Sequence, residues 1–268
     1  MKTYLVSDIH GQYQAFMQAL AQVGFSPENG DRLYVLGDIV DRGPQSSECL
    51  YYLYQLQPTY PQQVAVLKGN HEQMLEDWLL GKPEGDLYLF NGGDATIRSL
   101  LGNQPLRRAF LSTTPSTADQ EAARKHILSR HPFLLGYIQS LPLYREELPD
   151  NLTGAPHAIF VHAGLRPGRS LLQQYPADLL WIRDEFYNHY NGETMVVFGH
   201  TPVTLLPGYT GEGLWRRGQM VGIDGGAAFW RGLLLTEWPS LHTHYVPIKS
   251  AQAIPTVRLF PLNPYSAI

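Results

Sequence analysis

In the stretch LYVLGDIVDRGP, Leu33 to Pro44, two aspartates, an arginine and a glycine follow directly on an apolar run. Carboxylates and guanidinium groups are costly to take out of water unless they are paired or bound to a metal, so charges crowded at the end of a buried strand mark a chemical site. The arrangement recurs. Apolar runs also end in SDIHG, GNHE, HAG and GHTP, which together place Asp8, His10, Asp38, Asn70, His71, His162 and His200 at strand ends. Asp8 and His10 lie two residues apart, so on extended backbone both face one way while Ile9 turns into the core. Asp38 has two oxygens with which to bridge two ions, and Asn70, His162 and His200 are neutral ligands. This mixed nitrogen and oxygen set suits manganese, iron or zinc better than calcium or a thiolate-loving metal. Gly11, Gly37, Gly69, Gly164 and Gly199 flank the ligands, as expected where backbone turns sharply or is closely approached.

The elements that must position these groups follow from hydrophobic periodicity. Strands are predicted at Thr3–Ser7, Leu33–Gly37, Gln63–Lys68, Ala158–Val161 and Met195–Phe198. Helices are predicted from about Gln12 to Val23, with Tyr13, Phe16, Met17, Leu20 and Val23 on one face, from Gln45 to Gln57, and from His71 to Leu80. Strands alternating with helices imply βαβ units and a largely parallel sheet, whose ligands collect beyond the carboxyl ends of the strands. The segment from about 81 to 151 fits this pattern least and reads as a helical cap or insertion beside the metal edge. Within it STTPSTAD reads as a loop, followed by a helix with Thr117 and Gln120 as a capping box. The paired glycines of NGGDAT, Asn91 to Thr96, would let backbone lie close to a substrate or simply form a turn.

Length and composition suit one large globular domain, 1–268, with a core of ordinary size. The net charge of −4 gives no basic excess that argues for nucleic acid, and no apolar stretch approaches the ~20 residues needed to cross a bilayer. Tyr4–Val6 is too short for a signal peptide, so a cytoplasmic protein is expected. Cys49 has no partner for an internal disulfide and falls on the inward face of its helix.

The ordered set DIH, GDIVDRG, GNHE, HAG and GH resembles the metallophosphoesterase superfamily, and most of all the phosphoprotein phosphatase (PPP) type of serine/threonine phosphatase. The resemblance spans Asp8 to His200. It implies a calcineurin-like α/β fold, a β-sandwich of two mixed sheets flanked by helices, in place of a plainly parallel sheet. It assigns Asp8, His10 and Asp38 to a first divalent metal and Asp38, Asn70, His162 and His200 to a second, with manganese expected. It makes His71 the general acid oriented by Asp41, a neighbour that would raise the pKa of the imidazole, and it gives Arg42 to phosphate oxygens. Arg183, in WIRDEF, is the candidate second phosphate ligand. A structural ion pair with a nearby acid is its other reading. Two ions would activate a hydroxide for in-line attack at phosphorus, without a protein nucleophile.

Glu72 is read as a helix cap, its charge at the positive end of the dipole. His126, His131, His157, His189, His242 and His244 are read as structural or solvated. Asp224 in GIDGG is a candidate partner for a metal histidine. Three functions are compatible with these residues. The first is a phosphatase of phosphoserine and phosphothreonine proteins, extending to phosphotyrosine. The second is a symmetrical hydrolase of dinucleoside polyphosphates such as diadenosine tetraphosphate, with the aromatics around Phe90, Phe229 and Trp230 available to hold a base. An inactive phosphate-binding module ranks last, since every ligand is present.

Overall fold

Successive side chains of a strand point to opposite faces, and this alternation sorts the buried apolar strand residues among three apolar layers. In β1 (Thr3–Val6), Tyr4 and Val6 join one cluster and Leu5 another. The computed structural model describes residues 1–248 apart from 113, 153 and 212. The remainder of the expected 1–268 domain, residues 249–268, lies outside the described residues.

The chain continues through α1 (Tyr13–Gln22), β2 (Arg32–Val35), α2 (Ser46–Thr59), β3 (Val64–Val66), α3 (Asn70–Leu79), α4 (Gly93–Leu101), α5 (Thr117–Arg130) and α6 (Leu134–Ser140). Then come β4 (Tyr144–Glu147), β5 (Ala158–Val161), α7 (Pro176–Trp181), α8 (Asp184–His189), β6 (Met195–Phe198), β7 (Trp215–Arg217), β8 (Met220–Gly222), β9 (Gly232–Trp238) and β10 (Thr243–Pro247). They form two five-stranded sheets, ordered β10-β9-β1-β2-β3 and β4-β5-β6-β8-β7. In each sheet three strands run parallel, β1, β2 and β3 in one and β5, β6 and β8 in the other, with antiparallel strands completing it. Two mixed sheets, and not one parallel sheet, are what the chain forms. The parallel trios do the positioning, because all six of their carboxyl ends open on one side.

Leu5, Tyr34, Phe160, Val197, Val221 and Trp238 form the layer between the sheets. The outer face of the first sheet packs on α1, α2 and α3 through Phe16, Leu50, Leu53, Leu75 and Trp78, and the outer face of the second on α7 and α8 through Leu179 and Phe186. Tyr88, Ile97, Phe110, Ile127 and Ile138, from the 81–151 segment, belong to the same apolar cluster as α1 to α3. The cap of α5 differs by one residue from expectation. Ser116 is the N-cap, its Oγ accepting from the Asp119 N–H, while the Gln120 side chain accepts from Trp78 Nε1 at 3.0 Å.

Candidate active site

Beyond the ends of β1, β2, β3, β5, β6 and β8 the structure brings together Asp8, His10, Asp38, Asn70, His71, His162, His200 and Asp224, each 7% exposed or less. The two oxygens of Asp38 point to different partners. Oδ2 lies 3.6 Å from His10 Nε2 and 3.8 Å from His71 Nε2, and Oδ1 lies 3.4 Å from His162 Nε2. Asn70 Oδ1 is 2.8 Å from His162 Nε2, and Asp8 Oδ1 is 3.9 Å from His10 Nε2. The donor atoms of His10, Asp38 and His71 form one group that could hold a metal ion, and those of Asp38, His162 and His200 a second.

The chemistry of this donor set fits divalent cations. His10 Nδ1 and His162 Nδ1 donate to the Val40 and Leu36 carbonyls, both at 2.9 Å, so each Nε2 turns a lone pair inward. At His162 that lone pair meets the Asn70 and Asp38 oxygens, acceptors converging with no donor between them. His200 Nε2 is buried with no hydrogen-bond partner among the described residues. Electrostatics agree. Burial, then the charges of Asp8 and Glu72, push the Asp38 carboxyl well up, and burial followed by Asp8 does the same to Asp224. Burial pushes His10 and His200 well down. Carboxylates crowded in a dry site call for positive charge that neutral imidazoles do not supply.

The backbone holding these groups is strained. Asp8, His10, Asp38, Asp41, Arg42 and His200 all have φ between 47° and 74°, the left-handed region that costs a non-glycine residue about 1–2 kcal/mol. Asp8 and His10 are therefore not alternate positions of one extended strand. β1 ends at Val6, and both residues are presented by a loop while Ile9 between them is buried. Hydrogen bonds over-determine that loop. The N–H groups of Asp8, His10 and Gly11 donate to the carbonyls of Gly37, Asp38 and Ile39, and the His200 N–H donates to Asp8 Oδ2 at 2.9 Å.

Glu72 does more than cap α3. Fully buried, its carboxylate accepts from the N–H groups of Gly69, Asp38 and Ile39, each at 2.8 Å, and of Val40 at 3.3 Å. It thereby ties the end of β3 to the end of β2, a role its place in GNHE does not disclose. Two glycines are required by close approach. A Cβ on Gly69 would collide with Asp38 Oδ1, and one on Gly199 with Asp8 Oδ2.

His71 Nδ1 lies 2.6 Å from Asp41 Oδ2, and Arg42 Nη2 lies 3.4 Å from His71 Nε2. Asp41 Oδ1 accepts from Tyr88 Oη at 2.7 Å and Thr96 Oγ1 at 2.6 Å. Burial pushes the Asp41 carboxyl up to about 7 against these two donors. His71 is held well below its usual pKa, by burial and then by the Arg42 and His162 charges, the opposite of the shift expected from its carboxylate neighbour. Burial sets the direction. Tyr88 and Thr96 escaped recognition because they come from the segment without strand-end motifs. In NGGDAT the glycines serve the protein itself. A Cβ on Gly92 would lie 2.6 Å from Arg42 Cγ, and one on Gly93 2.5 Å from the Tyr88 ring.

A cavity of about 250 Å³ opens over the metal edge, and Arg42, Arg183 and Asp224 reach it. Arg183 is exposed, and Nη1 donates to Thr201 Oγ1 at 2.8 Å. Asp224 accepts from the Gly226 N–H at 2.7 Å. It does not orient a metal histidine: His10 and His162 bond to carbonyls, and His200 to the Trp181 backbone. Of the three aromatics singled out in the sequence, Phe229 lines the cavity, 5.3 Å from the Arg42 guanidinium. Trp181 lines it too, and both rings are about half exposed, at 45% and 57% for Trp181 and Phe229.

Two outcomes test this geometry. Chelation is expected to lower the melting temperature by several degrees and manganese to restore it, because an ion that binds only the folded state stabilises it by mass action. Identical melting with and without manganese would show that the edge holds no ion. Glu72→Ala, by stranding buried N–H groups, is expected to cost at least about 3 kcal/mol in urea unfolding and to lower manganese stoichiometry. A wild-type unfolding midpoint would remove Glu72 from its role.

The family model of the calcineurin-like phosphoesterases matches residues 1–220. Among curated proteins, the chain is 28% identical to bis(5'-nucleosyl)-tetraphosphatase PrpE [asymmetrical] of Bacillus mycoides, covering 92% of this chain and 94% of that one. It is 30% identical to serine/threonine-protein phosphatase 1 of Salmonella typhimurium over 75% of this chain and 78% of the relative. A solved structure of a provisionally assigned diadenosine tetraphosphatase superposes with a TM-score of 0.59 at 20% identity, covering 92% and 93% of the two chains. No helix among the described residues is long and apolar enough to cross a membrane. With the motifs, the two mixed sheets and the donor set at their shared edge in agreement, the chain belongs to the calcineurin-like phosphoesterases, a family of metal-dependent phosphoric ester hydrolases.

Proposed function

We propose that the protein hydrolyses dinucleoside polyphosphates such as diadenosine tetraphosphate, giving one AMP and one ATP per water consumed. The observation that carries this reading is the pair of half-exposed rings, Trp181 and Phe229, on the wall of the cavity that contains the metal edge. An aromatic face held open to solvent beside a phosphate site suits a nucleobase, and stacking of one base contributes about 1–3 kcal/mol. The asymmetrical cut follows the name of the Bacillus relative, which matches over nearly its whole length. A second reading, a serine/threonine or dual-specificity protein phosphatase, is favoured by the Salmonella relative.

In either reading Asp8, His10, Asp38, Asn70, His162 and His200 hold two divalent ions, manganese first with iron or zinc as alternatives. When bound, such a pair supplies an activated water and charge compensation for in-line displacement at phosphorus. Arg42 and Arg183 then hold phosphate oxygens in the planar geometry that guanidinium matches. The Arg42 guanidinium can only donate, so its contact makes His71 Nε2 an acceptor and leaves the proton on Nδ1, shared with Asp41. His71 Nε2 is thus the atom that faces the site; it takes up a proton from solvent, giving up its contact with Arg42, and passes that proton to the leaving group while Asp41 holds Nδ1 and fixes the ring.

Side-by-side rates on diadenosine tetraphosphate and a phosphoserine peptide, from one manganese-loaded preparation, test the substrate. The proposal expects kcat/KM at least about a hundredfold higher on the dinucleotide, equivalent to ~2.7 kcal/mol of transition-state binding. Phe229→Ala combined with Trp181→Ala should lower that value at least about tenfold more than it lowers the rate on p-nitrophenyl phosphate. A preference for the phosphopeptide, untouched by these changes, would establish the second reading. Two ADP as products would overturn the asymmetrical cut alone.

The acid role of His71 has its own test. His71→Asn should slow phosphoserine hydrolysis by roughly two to four orders of magnitude and p-nitrophenyl phosphate far less, since a good leaving group needs little protonation. Equal losses would make His71 a positioning residue.

A further inference from the structure

A second cleft, of about 480 Å³, is walled by α1, α2, the end of α4 and the end of α5, and shares no wall residue with the metal cavity. Along α2, Glu48, Tyr51, Tyr52 and Gln55 recur at i, i+3, i+4 and i+7 and so line it from one helix face. The wall is rigidly built. Tyr51 Oη lies 2.6 Å from His131 Nδ1, and His131 Nε2 donates to the Leu100 carbonyl at 2.9 Å. Tyr52 is 7% exposed, and its hydroxyl is buried with no hydrogen-bond partner among the described residues, which a native core rarely tolerates. From α5 come His126 and the exposed Arg130, one turn apart. Glu48 is held by the hydroxyls of Ser47 and Ser99 at 2.8 and 3.4 Å.

Cavities of roughly 300–1,000 Å³ with aromatic walls and a few directed polar groups take small organic ligands. Here the tyrosine rings suit a planar ring, Glu48 accepts from a ring amino group, and Arg130 with His126 takes an anion. We propose that this cleft binds a planar, amino-bearing ring joined to a phosphate, the chemistry of a purine nucleoside monophosphate, and that its occupancy is felt at Asp41. The connection is short. Ser47 N–H donates to Ser99 Oγ at 3.0 Å across α2 and α4. Their neighbours Ser46 and Thr96 take the Asp41 N–H at 3.1 and 2.8 Å. A ligand that shifts α4 against α2 therefore shifts the group that orients His71. The inference stands whichever phosphoester the metal edge takes.

The test is AMP titrated calorimetrically into manganese-loaded protein, with p-nitrophenyl phosphate hydrolysis followed as AMP rises. AMP should bind at least about tenfold more tightly than inorganic phosphate and should change kcat, where a competitor at the metal edge would change KM alone. Asp38→Asn should keep AMP binding within about twofold, while Arg130→Glu, an exposed change, should weaken it at least about tenfold and abolish the kcat effect without altering the rate in the absence of AMP. Purely competitive inhibition, loss of binding in Asp38→Asn, or binding indifferent to Arg130→Glu would each overturn the proposal.

Discussion

The carboxylate of Glu72, which never meets solvent, is the interaction on which the site depends. An isolated buried carboxylate would cost several kcal/mol, and it is sustained here because backbone N–H groups from two strand ends converge on its two oxygens. The exchange is mutual. The loop after β2 has Asp38, Asp41 and Arg42 in left-handed backbone, and Glu72 is the acceptor that takes the N–H groups at its start, from Asp38 to Val40. Once Asp38 is fixed, its Oδ1 accepts the His71 N–H at 3.0 Å, which seats the start of α3 and with it the ring on Asp41.

Fixing so many acids in one dry edge creates an electrostatic debt that the protein does not settle alone. Asp8, Asp38, Asp224 and Glu72 all have carboxyls pushed up chiefly by burial. Hydrogen bonds relieve Glu72. At Asp38 the like charges of its neighbours add to the burial, and the imidazoles around it are themselves driven neutral. The over-determined backbone keeps the donor atoms converged against the repulsion of their unbalanced charge before any cation arrives. Preorganisation of this kind is the protein's share of metal catalysis.

How much of this was legible in the sequence follows from the range of each interaction. β5 and β6 lie where their apolar runs place them, and α1, α2 and α3 begin and end within two residues of expectation, because strand and helix periodicity are local. The ligands were legible because each sits one to four residues beyond the end of a strand, and parallel strands gather their ends by topology. The conformation of Asp8 and His10 was not, since their left-handed backbone is imposed by Gly37, Asp38 and Ile39, some 30 residues away. The lowered pKa of His71 was missed for a similar reason: an aspartate nearby is visible in a sequence, and depth of burial is not. Tyr88 carries no motif, and Thr96 closes NGGDAT, where the glycines drew the reading; both reach Asp41 only through tertiary packing of the 81–151 segment.

Reaction and substrate are thus written in different parts of the chain. The groups proposed to handle phosphorus come from loops that run from a strand end toward a helix, where one added methyl would collide with the carboxylates themselves, as Gly69 beside Asp38 and Gly199 beside Asp8 attest. The rings that would meet the rest of the substrate come from the end of α7 and from the turn before β9, both half exposed, Trp181 edge-on to His200 and Phe229 against the Arg42 guanidinium. Arg42 joins the two, its backbone locked to Gly92 and its guanidinium between His71 and Phe229. A change at the rim can alter what is bound without disturbing how phosphorus is attacked. A rigid metal edge with an adaptable rim is therefore a physical route by which relatives with the same motifs come to act on proteins or on dinucleotides.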